Sequence, residues 1–270
     1  MVKPWLLLAA VPVLHCGAQA LKPEAVAAFD CYVHSAEQRM AARPAFLTVD
    51  AIASLAESLV RNRNIQTVPG NGPNPHKIPG AMVYDWIGTV FIPKATVERT
   101  VQMLQDYNHR AQYFPDIIST ARLLCRTGDE RFGFAMRLKE PAIIDSENDV
   151  VWERLDAHRW RCRSYSTKVN EVGKQHGYLY RLNSYWRFAE ADKGVFIEGQ
   201  TITLSGEFSS LMRTLGSLAG INPEKSLRKT LAAMQETLEK PGLEFAKPPG
   251  GEADCGQPVV PPECSVASGR

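Results

Sequence analysis

No segment beyond the extreme N-terminus of this chain is apolar for long enough to approach the roughly 20 residues that span a bilayer, so a stable membrane span is excluded. Charge of one sign is also missing: 31 Lys and Arg stand against 29 Asp and Glu, a net charge of +2. A nucleic-acid partner would ask for a basic stripe. The nearest thing to one, Arg161, Arg163, Lys168 and Lys174, reads as a solvated strand edge or a set of salt-bridge partners. The histidines do not cluster, and no HExxH or CxxC spacing occurs, which removes the common zinc and dithiol centres. A G-x-S-x-G elbow, a Walker loop and a dinucleotide fingerprint are absent too. Gly70, Asn71 and Gly72 sit among prolines, as a loop does and a phosphate cradle does not. No cofactor is expected, and no set of residues reads as catalytic.

What is present is a chain of 270 residues, 44% hydrophobic and 22% charged, enough for one ordinary domain with appendages. Residues 1–20 read as a signal peptide. Lys3 is the positive n-region, Trp5 to Leu14 the apolar h-region, and Ala18, Gln19 and Ala20 the small-x-small cleavage site. The expectation is export, to periplasm or beyond, with cleavage after Ala20. Cleavage would remove Cys16 and leave Cys31, Cys125, Cys162, Cys255 and Cys264, an odd set that implies a free thiol or an intermolecular bond. Cys255 and Cys264 are close enough in sequence to pair. Cys125 and Cys162 fall in different expected strands and read as small buried hydrophobes.

Residues 21–77 form a helical appendage and loop. Val26, Phe29, Val33, Ala36 and Met40 repeat at helical spacing up to Pro44, and Ile52, Leu55 and Leu59 mark a second short helix. The main domain covers residues 78–240. A strand over Met82 to Ile92 stops at Pro93, and Thr96 caps a helix carrying Val97, Val101 and Leu104. Six strands follow, over about Ile117–Arg126, Arg131–Lys139, Asp149–Leu155, Trp160–Val169, Tyr178–Phe188 and Val195–Leu204, paired antiparallel across short turns. Asn222 and Pro223 then open a helix with Leu227, Leu231, Met234 and Leu238 on one face. Residues 241–270, rich in Pro and Gly, cannot bury enough apolar surface to offset their ordering entropy and are expected to be disordered.

The run Thr89 to Val97, the strands Asn183–Phe188 and Gly194–Leu204, and the helix Pro223–Leu238 together resemble the helix-grip fold of the START/SRPBCC superfamily, which includes polyketide cyclases. Trp86 to Pro93 and Leu182 to Phe188 resemble, more narrowly, an exported bacterial branch of it. The resemblance spans roughly residues 78–240. It implies an α+β fold, a curved antiparallel sheet of about seven strands around the long C-terminal helix, with a hydrophobic cavity between them. It carries no catalytic residues with it.

Alternation puts Phe132, Phe134, Met136 and Leu138 on one strand face, and Tyr180, Leu182, Ser184, Trp186 and Phe188 on another; both should look toward the helix. Trp86, Phe134, Met136 and Trp186 are the expected cavity walls. Trp160, Cys162, Ser164 and Ser166 alternate with Arg161, Arg163, Tyr165 and Thr167, and alternation alone does not say which set faces inward. Arg163 and Tyr165 are candidate ligand contacts if theirs does. Glu198 shares a face with Phe196, Gln200 and Ile202 and is the place to look for a general acid or base. Three functions follow: an exported binder of a hydrophobic small molecule or lipid, a cyclase- or dehydratase-type enzyme using the same cavity, or an interaction module with a filled core. Oligomeric state is not readable from the sequence.

Overall fold

The computed structural model describes residues 21–140, 142–173, 177–207, 222–250, 253–260 and 264. The proposed signal peptide, Cys16 and Lys174 lie outside the described residues. The elements in chain order are α1 (Pro23–Ala42), α2 (Ala53–Asn62), β1 (Gln66–Pro69), β2 (His76–Ile78), β3 (Ala81–Pro93), α3 (Val97–Gln105), α4 (Arg110–Tyr113), β4 (Ile118–Thr127), β5 (Arg131–Leu138), β6 (Ile144–Arg154), β7 (Arg159–Glu171), β8 (Arg181–Ala191), β9 (Gly194–Gly206) and α5 (Pro223–Glu239). The caps on the two inner helices are the expected ones. Thr96 accepts from Arg99 N at 3.2 Å, and Asn222 accepts from Lys225 N at 2.9 Å. No helix among the described residues is long and apolar enough to cross a membrane.

The strands β4 to β9 form one antiparallel meander, and β3 closes it by pairing with β9, giving the order β1-β3-β9-β8-β7-β6-β5-β4 with β2 also on β3. The architecture is α+β, with the sheet curved around α5. Among the described residues there are nine strands where seven are expected. β1 and β2 fall within the segment read as an appendage, too short to show alternation. β6 starts at Ile144, ahead of the expected Asp149; Asp145, Ser146, Glu147 and Asn148 have poor strand propensity, so the sequence did not mark them as strand. Cross-strand pairing decides their state: Asp145 meets Arg137 at 2.6 Å and Glu147 meets Lys168 at 3.3 Å.

The sheet is covered on both faces. On the inner face Leu227, Leu231, Met234 and Leu238 of α5 pack with Val101 and Leu104 of α3 against Val90, Phe132 and Phe188. Two glycines permit the close approach. A Cβ on Gly88 would come within 2.7 Å of the Leu231 side chain, and one on its register partner Gly199 would overlap the Trp186 ring. On the outer face Ala25, Phe29, Val33 and Ala36 of α1 cover Ala81, Val83, Ile202 and Leu204, while Leu47 and Leu59 cover Phe91.

The tail corrects three expectations, one of them that Cys125 is a small buried hydrophobe, since it is disulfide-bonded. Cys255 and Cys264 do not pair with each other; Cys31 bonds Cys264 and Cys125 bonds Cys255, while Cys162 is free and buried. The described part of the tail is laid against the domain. Arg126 N donates to Ala253 O at 2.9 Å along the edge of β4, Arg131 donates to Gly256 O and Gln257 O, and Val259 N donates to Asp149 at 3.0 Å. Two covalent anchors and backbone hydrogen bonds here replace the apolar burial that the tail's composition lacks, and they cover an otherwise open sheet edge.

Candidate functional site

The inner face of the sheet can be followed row by row across the strands. One row runs Trp160, Phe188, Ile197 and Val90, and it is solid core. The next runs Trp152, Cys162, Trp186, Gly199 and Gly88. Beyond it lie Val150, Ser164, Ser184 and Thr201, and from here the packing opens into a cavity of about 220 Å³ between the sheet and α5. The cavity is walled mostly by apolar groups, among them Leu104, Phe114, Met136, Leu138, Leu182 and Leu227. Its floor on β7, β8 and β9 carries hydroxyls: Ser164, Ser184, Thr201, Thr203 and Ser205 all line it. Ser184 accepts from Trp186 Nε1 at 3.3 Å, and Thr203 Oγ1 is buried without a hydrogen-bond partner. Exposed residues, Asp116, Glu140 and Asn222, mark the mouth, which the Lys229–Glu140 ion pair crosses at 2.5 Å.

One cation sits in this apolar space. Arg110, at the start of α4, lines the cavity and is half-buried, and desolvation pulls its pKa down. Its Nη2 donates to Leu104 O at 2.5 Å, and its guanidinium carbon lies 4.5 Å from the centres of both the Tyr107 and Phe134 rings. Nε is buried with no hydrogen-bond partner, and no carboxylate among the described residues ion-pairs with Arg110. The nearby acid, Asp106, is occupied by His109 Nδ1 at 2.7 Å, the Tyr113 hydroxyl and Ala246 N at 3.0 Å. The Cys162 thiol lines the same space, and burial pushes its pKa up to about 12, so it stays neutral.

The expected site residues divide by strand face. Phe134, Met136 and Trp186 line the cavity. Trp86 is on the inner face, packed into the core around α5, and is not among the residues that line it. Arg163, Tyr165 and Glu198 are corrections, because their faces point away from α5. Tyr165 donates its hydroxyl to Glu37 of α1, which also accepts from Tyr185 at 2.8 Å. Glu198 pairs with Arg43 at 2.7 Å and Arg187 at 3.7 Å, and accepts from Thr48 N at 2.6 Å. Its carboxylate is buried as the structural anchor of the chain segment after α1. Arg163 lies over the Tyr165 ring, and its neighbour Arg161 pairs with Glu153 at 2.6 Å.

Arg110, Cys162 and the floor hydroxyls went unnamed as site residues. Thr201, Thr203 and Ser205 alternate with Gln200, Ile202 and Leu204, and that alternation was the available signal. It points to the cavity only once the larger apolar set is seen to be claimed by α1. Arg110 gives no such signal, since it lies in a short helix with no periodicity to place it.

No protein-family model matches the chain, and no curated protein matches it. Among solved structures it is similar to a STAR-related lipid transfer protein from Xanthomonas axonopodis (19% identity, 61% of this chain and 97% of that one, TM-score 0.45). It is also similar to human StAR-related lipid transfer protein 5 (8% identity, 71% and 96%, TM-score 0.41). A third is the di-domain ARO/CYC BexL of the BE-7585A biosynthetic pathway (16% identity, TM-score 0.41), of which this chain covers 50%.

Proposed function

We propose that the chain is an exported protein that holds a hydrophobic small molecule or lipid in the cavity beneath α5. The observation that carries this reading is the cavity itself, open space next to rows of the same sheet that are packed solid. Each buried CH₂ of a ligand would add about 0.8 kcal/mol. Export is supported by the two cystines, which persist in oxidising compartments. The cyclase alternative is weakened because Glu198, Arg163 and Tyr165, its proposed polar groups, are engaged on the other face.

Native mass spectrometry of the protein isolated from its own host tests the reading. A lipid-sized adduct is expected, and a variant with Ser184→Phe, which fills the floor of the cavity, should fold and lose it. Protein without any adduct that also binds nothing from host lipid extracts would overturn the proposal.

A further inference from the structure

Resting on that reading of the cavity, we propose that the ligand is a single-chain amphiphile with a carboxylate head, clamped by Arg110 at the inner end while its chain runs out toward the mouth. The cavity contains a guanidinium with one hydrogen bond, to Leu104 O, and a buried Nε that donates to nothing. Buried cations are ordinarily paired; Asp106 favours the guanidinium through space, but its oxygens are taken by three other donors and none bonds Arg110. The Tyr107 and Phe134 rings, each 4.5 Å from the guanidinium carbon, hold the group in place without neutralising it. A planar carboxylate suits the fork of an arginine.

The surroundings divide as such a ligand requires. Cys162 and the next row of hydroxyls, Ser164, Ser184 and Thr201, lie at the inner end and can donate to a carboxylate. Toward the mouth the walls include Ile117, Met136, Leu138, Ile144 and Leu182, an apolar run broken on β9 by Thr203 and Ser205. At about 220 Å³ the space is below the roughly 300–1,000 Å³ of drug-sized sites, which suits one chain and not a two-chain lipid.

Isothermal titration of the full chain with decanoate and with 1-decanol at pH 7.5 tests the assignment. Decanoate should bind at least tenfold more tightly. In Arg110→Met the preference should vanish while 1-decanol binding stays within a few-fold, and Arg110→Lys should retain part of it. Equal affinity for the two probes in the unaltered chain, a comparison that needs no variant to fold, would overturn the carboxylate assignment and leave the apolar cavity standing. A preference that survives in Arg110→Met would overturn the role of Arg110. Binding of neither probe would overturn both the assignment and the reading on which it rests.

Discussion

At the scale of single residues, buried ionisable groups set the expected pH behaviour. Asp85 lies under α1, where desolvation raises its carboxyl pKa even though Tyr32 donates to it at 3.0 Å and Gln200 at 2.7 Å. Between an unfolded value of about 3.9 and the higher folded one, the folded state binds more protons, so this group's contribution to stability falls as pH rises. Asp85→Asn cannot titrate. Its stability deficit against the parent, measured by urea unfolding, should be largest near pH 4 and shrink by pH 7.5; a deficit that is constant or grows would contradict the sign. Cys162 offers a second check. With its thiol pushed up to about 12, almost no thiolate is present at pH 8, and the thiolate is the species that reacts. Iodoacetamide should label Cys162 on the order of a hundredfold more slowly in the folded chain than in urea, as read by peptide mapping. Near-equal rates would mean that the inner end of the cavity is open to water.

At the scale of elements, α5 is both the best-signalled helix of the sequence and the lid of the cavity. Its cap, its first-turn proline and its apolar stripe are local facts, and they suffice to place it between Pro223 and Glu239. How closely it lies on the sheet depends on Gly88, over which Leu227 and Leu231 sit. Leu231 is fully buried, and Leu231→Ala should cost about 2–5 kcal/mol in urea unfolding. Gly199→Ala drives a methyl into the Trp186 ring and should cost about 1–3 kcal/mol; an unchanged midpoint would mean that Trp186 has room to move, enlarging the cavity. Strands were legible in proportion to their alternation. β5, β7 and β9 alternate and were readable, whereas the first half of β6 is polar and was not. β1 and β2 are too short to carry a period, and only the edge of β3 makes strands of them.

At the scale of the whole molecule, the tail and the N-terminal helices enclose the sheet from outside, and cystines fasten them. The bonds span 233 and 130 residues of sequence, long closures for which about 2–4 kcal/mol each is typical. Cys264→Ser should lower stability by about that amount and speed amide hydrogen exchange in α1, while Cys255→Ser should speed it along β4. Exchange in α1 unchanged by Cys264→Ser would mean that its packing on β3 and β9 holds it alone. The sequence by itself determined the order of the elements, the caps and breaks that bound them, and the two faces of each alternating strand, because these depend on residues within a few positions of one another. Which face turned inward was decided by the tertiary structure. β3 and β9 are buried on both sides, so alternation there distinguishes two covered faces rather than core from solvent. Competition between α1 and α5 for the faces of the sheet sent Glu198, Arg163 and Tyr165 outward and turned a row of hydroxyls inward, while α4 brings Arg110 to the cavity.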